Sequence, residues 1–249
     1  MTEETKQAAE LIARADSILA FVGAGLSADS GIPTFRGEDG IFADDAIERL
    51  AHADALEREP ERALAWLEET RQMVRAASPN AGHRALAELA GSRELTVATQ
   101  NIDGLVDAAA RDQELTLPVH YLHGSLFRIR CHACDAVHAE EAGEADGIDL
   151  SEQPACPDCG GLLRPDIVLF GELLPDEAFK AAEVAARSAD LCLMLGTSGL
   201  VYPAAGLPRT AAETGAALVE INPNPTELSH LADVVVRAST SEALPKIIV

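Results

Sequence analysis

Short apolar runs recur along the chain at 18–22, 95–99, 119–122, 191–195, 217–221 and 234–236, each closing in Gly, Asn or a polar loop, and they predict buried β-strands. Between them, apolar positions at helical spacing predict helices over 80–89, 176–186 and 203–214. Strands that alternate with helices and are apolar on both faces predict a parallel sheet covered on both sides, a doubly wound α/β fold. Two stretches break the alternation. Residues 37–78 carry no strand signal and read as loop plus helix, strongly helical over 54–77. Residues 131–164 hold four cysteines with Pro154, Pro157, Gly160 and Gly161 and little periodicity. Both read as insertions into the sheet domain, and the acidic stretch 140–149 reads as a solvated loop.

A chain of 249 residues suits one large domain or a domain with an inserted module, and 47% apolar residues suffice for a sizeable core. Charge changes the picture more. There are 19 basic and 41 acidic residues, a net charge of −22, with lysine only at Lys6, Lys180 and Lys246. Such a surface repels phosphate backbones and anionic lipid, so nucleic-acid and membrane binding are not expected, and partners should be cationic or neutral. Excess carboxylate with almost no lysine also suits a protein hydrated in concentrated salt, where self-repulsion is screened. No apolar run reaches the ~18–20 residues that cross a bilayer, and the opening MTEETKQAAE is polar and acidic. The expectation is a cytoplasmic protein, in which disulfides are improbable.

Four of the five cysteines form two Cys-x-x-Cys pairs, Cys131/Cys134 and Cys156/Cys159, with 21 residues between them; Cys192 lies in an apolar run. Four thiolates in two chelating pairs meet the demand of tetrahedral zinc, and with every position filled by protein the ion would be structural. His132 and His138 lie nearby as substitutes, but both pairs are intact, so ligation by the four thiolates is preferred. A redox dithiol would want a thioredoxin-like helix start, which is absent here.

The first strand runs into Gly23-Ala24-Gly25-Leu26-Ser27-Ala28, a GxGxx(G/A) pattern. At a strand-to-helix junction, backbone N–H groups and a helix N-terminus can hold a pyrophosphate whose approach a side chain would block. An ordinary dinucleotide fold would continue to a second strand ending in Asp or Glu about 20 residues on. The chain instead reads Ser30-Gly31-Ile32-Pro33-Thr34-Phe35-Arg36-Gly37, which argues against a plain dehydrogenase. Later strands end in Gln100-Asn101-Ile102-Asp103, His123-Gly124, Gly196-Thr197-Ser198 and Asn222-Pro223. Parallel strands open their carboxyl ends on one edge, so these groups should converge on the crevice that holds the glycine loop. Singly, each has a plainer reading: Asn101 and Asp103 as helix caps, His123 as a core histidine, Thr197 as a turn residue. Together they mark a candidate site.

Taken in order, GAGLSADSGIPTFRG, TQNID, HG after a strand, the paired Cys-x-x-Cys, LFGE, GTS followed by VYPAAG, and EINP closely resemble the sirtuins, the NAD-dependent protein deacylases. The resemblance covers nearly the whole chain. It implies a Rossmann-like NAD-binding domain from 1–36, 79–130 and 165–249, with a small domain from the helical insertion 37–78 and the zinc module 131–164. NAD and an acylated lysine are implied to meet between the two. Gly23, Ala24, Gly25, Ser27, Pro33, Thr34, Phe35 and Arg36 would line the cofactor loop. Gln100, Asn101, Ile102 and Asp103 would hold the ribose and the nicotinamide carboxamide. Gly196, Thr197, Ser198, Asn222 and Pro223 would contact phosphates and adenosine ribose, with 239–241 near adenine. His123 would be the general base on the ribose hydroxyls, a role that suits an imidazole of pKa near ~6.5. Asn101 and Asp103 would act on the carboxamide, and Phe35 would be a lid against solvent. The implied products are free lysine, nicotinamide and O-acyl-ADP-ribose. Substrate peptide is implied to pair, as an added strand, with the backbone of Val168, Leu169, Phe170, Gly171 and Glu172 and of Gly199, Leu200 and Val201.

One departure bears on specificity. Sirtuins that remove succinyl or malonyl groups carry Tyr and Arg three residues apart on the helix before the Pro-Asn turn, where the guanidinium pairs with the acyl carboxylate. Counted from Pro79-Asn80, this chain has Leu67 and Thr70 at those places, and Arg71 sits about 100° around the helix. The expectation is removal of acetyl or longer apolar acyl groups in preference to succinyl. Two other readings use the same residues: a mono-ADP-ribosyltransferase at the same NAD site, and a non-catalytic NAD or acyl-lysine reader. Against the reader stand His123, Asn101 and Asp103.

Overall fold

The computed structural model describes residues 2–35, 40–139 and 142–248. Along the chain run α1 (Glu3–Arg14), β1 (Ser17–Val22), α2 (Asp45–Leu50), α3 (Ala55–Arg58), α4 (Pro60–Ala76), α5 (Ala81–Ala90), β2 (Glu94–Thr99), α6 (Leu105–Asp112) and β3 (Val119–Tyr121). There follow β4 (Gly124–Cys131), β5 (Val137–Ala139), α7 (Ala142–Ala145), β6 (Leu163–Ile167), α8 (Asp176–Ser188), β7 (Leu191–Leu195), α9 (Leu207–Glu213), β8 (Ala217–Ile221), β9 (Val234–Val236) and α10 (Thr240–Ile247). They form two compact units, one of 1–34, 78–122 and 175–249, the other of 35–77 and 123–174.

The first unit is a six-stranded parallel sheet in the order β3-β2-β1-β7-β8-β9. α1, α5, α6 and α10 cover one face, α8 and α9 the other. Successive strand side chains point to opposite faces, and Ile18, Ala20 and Val22 of β1 pack with Ile12, Leu86, Leu89, Val106 and Leu244. Leu19 and Phe21, between them, are equally buried, which is why these strands read as continuous apolar runs. The chain builds outward from β1 to β2 and β3, then returns to β7 beside β1. The switch point therefore falls between β1 and β7, where a doubly wound sheet opens its ligand crevice. α1, α6 and α10 were not among the predicted helices, and the stretch 203–214 begins as a 3₁₀ turn before α9.

The second unit combines α2, α3 and α4 with an antiparallel sheet in the order β5-β4-β6. Most of β4 (124–130) and the end of β6 (165–167) fall within ranges the sequence reading put in the large domain, but the two strands pair with each other and not with the parallel sheet. Their apolar alternation is masked by Arg128 and Arg130, whose guanidiniums lie 3.0 and 2.8 Å from Asp166. The stretch expected to be a solvated loop instead holds α7. Ala145 is fully buried and the carbonyls of Ala145 and Ile148 accept from buried Arg71 of α4, whereas Asp146, Gly147 and Asp149 are exposed, as expected. Among the described residues, no helix is long and apolar enough to cross a membrane.

Candidate functional site

At the switch point, Gly25 N–H donates to Gly196 O at 2.8 Å and Gly23 N–H to Leu195 O at 2.9 Å. A Cβ on Gly23 or Gly25 would lie 2.8 Å from the backbone of Gly196 or Thr197, and one on Gly196 would lie 2.5 Å from Gly25. These glycines are thus required by the close approach of two strand-end loops, a demand that adds to the expected clearance for phosphate. The expected helix N-terminus is also absent. Two 3₁₀ turns, Ala24–Leu26 and Ala28–Ser30, follow β1. The physical reason is that the Leu26 carbonyl, which an α-helix would bond to residue 30, is taken at 2.7 Å by Asn80 Nδ2.

Asn80 caps α5. Its Oδ1 accepts from Gly82 and His83 N–H, and His83 Nδ1 accepts the Asn80 N–H at 3.2 Å in a capping box. That bond fixes the neutral tautomer with the proton on Nε2, which lies 3.3 Å from Ser27 Oγ. Ser27 Oγ also receives Asn101 Nδ2 at 3.2 Å and donates to Asp103 Oδ2 at 2.7 Å. All four residues are buried. Burial, and then the Arg84 charge, hold the His83 pKa down to about 4. Burial pushes the Asp103 carboxyl up, against the bonds from Ser27 and the Leu105 N–H and with the added repulsion of Asp107. Asn101 Oδ1 is buried with no hydrogen-bond partner among the described residues.

Neighbouring strand ends are cross-linked. Gln100 Nε2 donates to Thr197 Oγ1 at 2.9 Å, and Asn222 Nδ2 donates to Thr197 O at 3.0 Å. Ala24, Ile102, Ser198, Pro33 and Thr34 are half-buried, Pro223 is exposed, and Arg36 lies outside the described residues. Asp29 accepts from Ser241 Oγ, which brings 239–241 to the turn after Ser27. Gly199 N–H reaches Thr197 Oγ1 at 3.4 Å, Leu200 is exposed and Val201 half-buried.

In the second unit, Cys131 and Cys159 Sγ are 3.5 Å apart, Cys134 and Cys156 3.9 Å, and all four sulfurs lie within 4.8 Å of one another. A tetrahedral zinc with bonds of about 2.3 Å spaces its sulfurs by about 3.8 Å, so the set fits. Ala133 N–H points at Cys131 Sγ and Gly161 N–H at Cys159 Sγ, as suits thiolates. His138 Nε2 lies 3.2 Å from Cys156 Sγ, beside the cluster. Cys192, buried in β7, has its thiol pushed up to about 12 by burial and stays inert.

His123 is half-buried, and its carbonyl accepts the Val168 N–H at 2.9 Å. Only glycine can follow it, since a Cβ on Gly124 would lie 1.9 Å from Asp166 O. Phe35 stacks on Phe42 at 5.3 Å, and Phe42 meets Phe170 at 5.5 Å. Within the segment expected to pair with a peptide, some backbone groups are bonded inside the chain. Phe170 donates to Ala51 O and accepts from Ala53 N–H, and Leu169 N–H is held by the Glu172 carboxylate. Leu67 and Thr70 are buried on α4, and Arg71 is tied to Glu68 at 2.6 Å. His83, Asn80 and Arg164 escaped the sequence reading. The Asn-x-x-His spacing of the capping box was the available signal for the first two.

A profile of the Sir2 family matches residues 23–203. An NAD-dependent protein deacylase of Mycobacterium tuberculosis is 43% identical over 224 residues, 90% of this chain and 92% of its own. One of Thermococcus kodakarensis is 41% identical over 244 residues, 97% and 93% of the two chains. Among solved structures, a Sir2 homolog–NAD complex is 36% identical with a TM-score of 0.87, covering 97% of this chain and 91% of that one. A Sir2 protein with a deacetylated p53 peptide and 3′-O-acetyl-ADP-ribose is 31% identical with a TM-score of 0.84, covering 98% and 96%.

Proposed function

The chain belongs to the Sir2 family, the sirtuins, and from that premise we propose how its own residues carry out the family's reaction. It is an NAD-dependent protein deacylase that removes acyl groups from protein lysines. The observation that carries the assignment of roles is the hydrogen-bonded set on Ser27, together with the open Asn101 Oδ1. A buried amide oxygen lacking a partner suits a ligand N–H such as the nicotinamide carboxamide. Bound NAD supplies an electrophilic ribose carbon with nicotinamide as its leaving group.

The residues of the chain then orient and move protons. Ser27 holds Asn101 and Asp103 in one geometry, so little rearrangement is needed when the carboxamide binds. Gln100, Thr197 and Asn222 lock three strand ends beside the Gly25–Gly196 contact and offer hydroxyl and amide groups to ribose and phosphate. His123 takes a proton from a ribose hydroxyl as general base. Cys131, Cys134, Cys156 and Cys159 would hold a zinc through four thiolates, and its part would be to fix the loops that bear the cysteines. Leu67 and Thr70 supply no charge for an acyl carboxylate and Arg71 is already paired, which supports acetyl or longer apolar acyl groups over succinyl. The proposed compartment is the cytoplasm, and the acidic surface supports acylated-lysine proteins with basic flanks as substrates and no nucleic-acid or membrane ligand.

The test is incubation with NAD and acetyl-, longer-acyl and succinyl-lysine peptides, following nicotinamide release and the mass of the product. O-acyl-ADP-ribose and free lysine are expected, with succinyl the poorest substrate. ADP-ribosylated protein without lysine regeneration would favour the transferase instead. His123→Ala should fold and abolish lysine regeneration; activity retained there removes the general-base role.

A further inference from the structure

Arg164 in β6 is fully buried, and its guanidinium makes bonds in several directions. Nη1 donates to Glu172 Oε1 at 2.5 Å; Nη2 donates to Glu172 Oε2 at 3.1 Å and to Ile167 O at 2.6 Å; Nε reaches Pro165 O at 3.1 Å. Glu172 Oε2 also accepts the Leu169 N–H at 2.8 Å. One planar side chain therefore grips both ends of the turn 167–172. Within that turn, Val168 N–H donates to the His123 carbonyl, and both Phe170 backbone groups are bonded to Ala51 and Ala53. Gly171 is exposed, with no heavy atom within 4 Å of where a Cβ would stand. Arg130 Nη2 lies 3.9 Å from Glu172 Oε1 while bonded to Asp166 and Asp135, so two guanidiniums share this carboxylate.

We infer that Arg164 and Glu172 are positioning residues: their clamp holds the turn so that Val168 stays bonded to His123 and the Gly171 backbone faces outward to the substrate peptide. The inference deepens the proposed function and rests on its reading that this turn pairs with peptide. Taking a guanidinium fully out of water, and its carboxylate partner partly, carries a desolvation cost, and apolar residues of equal volume often give equal or greater stability. What the pair supplies and apolar residues cannot is direction, since a guanidinium fork specifies where each acceptor must stand. Burial alone would raise the Glu172 pKa. The bonds from Arg164 and Leu169 and the charges of Arg164 and Arg130 outweigh it and hold the carboxylate below the usual range.

Two variants test the clamp. Glu172→Gln keeps the shape and an acceptor for Leu169 but removes the charge, and Arg164→Lys keeps the charge but removes the fork. Bound zinc per chain and the near-ultraviolet dichroism report whether each has folded, and Glu172→Gln, being isosteric, carries the test if the lysine variant does not fold. Each folded variant should raise the KM for an acetyl-lysine peptide about tenfold, leaving the KM for NAD within a factor of two. A peptide N-methylated beside the acyl-lysine, assayed with the unmodified enzyme, separates the clamp from its premise. If N-methylation weakens that peptide but both variants keep the parent peptide KM, the clamp is overturned and the pairing stands. If the unmodified enzyme ignores N-methylation, the pairing fails and the clamp with it. Peptide and NAD KM rising together would make the pair merely structural and also overturn the inference.

Discussion

A serine hydroxyl has one proton to donate and two lone pairs to fill, and Ser27 uses all three, on Asp103, Asn101 and His83. Ser27→Ala would leave three buried polar groups without that partner, so a loss of about 1–3 kcal/mol is expected, read as a lowered urea midpoint, with weaker NAD binding. An unchanged midpoint would mean that the three regroup without the serine. His83 carries a separate prediction. Its folded pKa is held down to about 4, first by burial and then by Arg84, from an ordinary 6.5. Between those values the unfolded chain binds a proton that the folded chain refuses, so stability rises with pH through the window and His83 is neutral in its effect above it. By pH 4 the penalty reaches about 3 kcal/mol. Relative to His83→Gln, the parent should hold a constant advantage above pH 7 and lose it progressively from pH 6.5 to 4, measured by urea unfolding at each pH. An advantage independent of pH would show that another group titrates. At this scale the sequence was legible where a residue closes a strand, as Ser27, Asn101 and Asp103 nearly do. For His83 it offered only the Asn-x-x-His spacing of a capping box, because the bond to Ser27 acquires meaning only from the loop packed against it.

At the scale of elements, the parallel strands were readable because burial on both faces leaves an unbroken apolar run, and their positions follow the predicted ones closely. The antiparallel strands β4 and β6 were not. Arg128, Arg130 and Asp166 look solvent-directed in the sequence, and only the distant pairing shows them neutralising one another. The glycine pattern was read as a strand-to-helix junction, whereas two 3₁₀ turns follow β1 and the glycines meet Gly196, 171 residues from Gly25 in sequence; no local pattern reports a contact of that range. The contact yields a prediction. Gly25→Ala places a methyl 2.8 Å from the Gly196 backbone, and since both sides are main chain the loops must part. A loss of about 1–3 kcal/mol is expected, with reduced affinity for ADP-ribose by calorimetry. Full affinity in that variant would mean that the β1 and β7 loops separate without cost, and the switch-point geometry would lose its claim on the ligand.

For the molecule as a whole the dominant quantity is the charge of −22, in which 41 carboxylates face only 19 cationic side chains. Many of the ion pairs are exposed pairs within one helix, such as Lys180–Asp176, Arg187–Glu183 and Lys246–Glu242, and pairs of that kind contribute little. The unpaired carboxylates repel one another across the surface, and that repulsion should fall as the screening length shrinks from ~10 Å at 0.1 M salt to ~3 Å at 1 M. Screening alone is therefore nearly complete by about 1 M. A surface adapted to concentrated salt should go on gaining stability beyond that point, because the carboxylates hold their hydration shells as water becomes scarce. The expected result is a melting temperature that keeps rising between about 1 and 3 M potassium chloride, well after the screening term has saturated. A plateau reached by about 1 M would mean simple relief of repulsion, and the high-salt reading would be withdrawn. The same field bears on substrate choice, since an acidic surface draws in peptides with neighbouring Lys or Arg. Turnover of basic over acidic acetyl-peptides should be favoured at low salt and the preference should shrink as salt is added, whereas equal rates at low salt would show that the surface charge serves hydration alone.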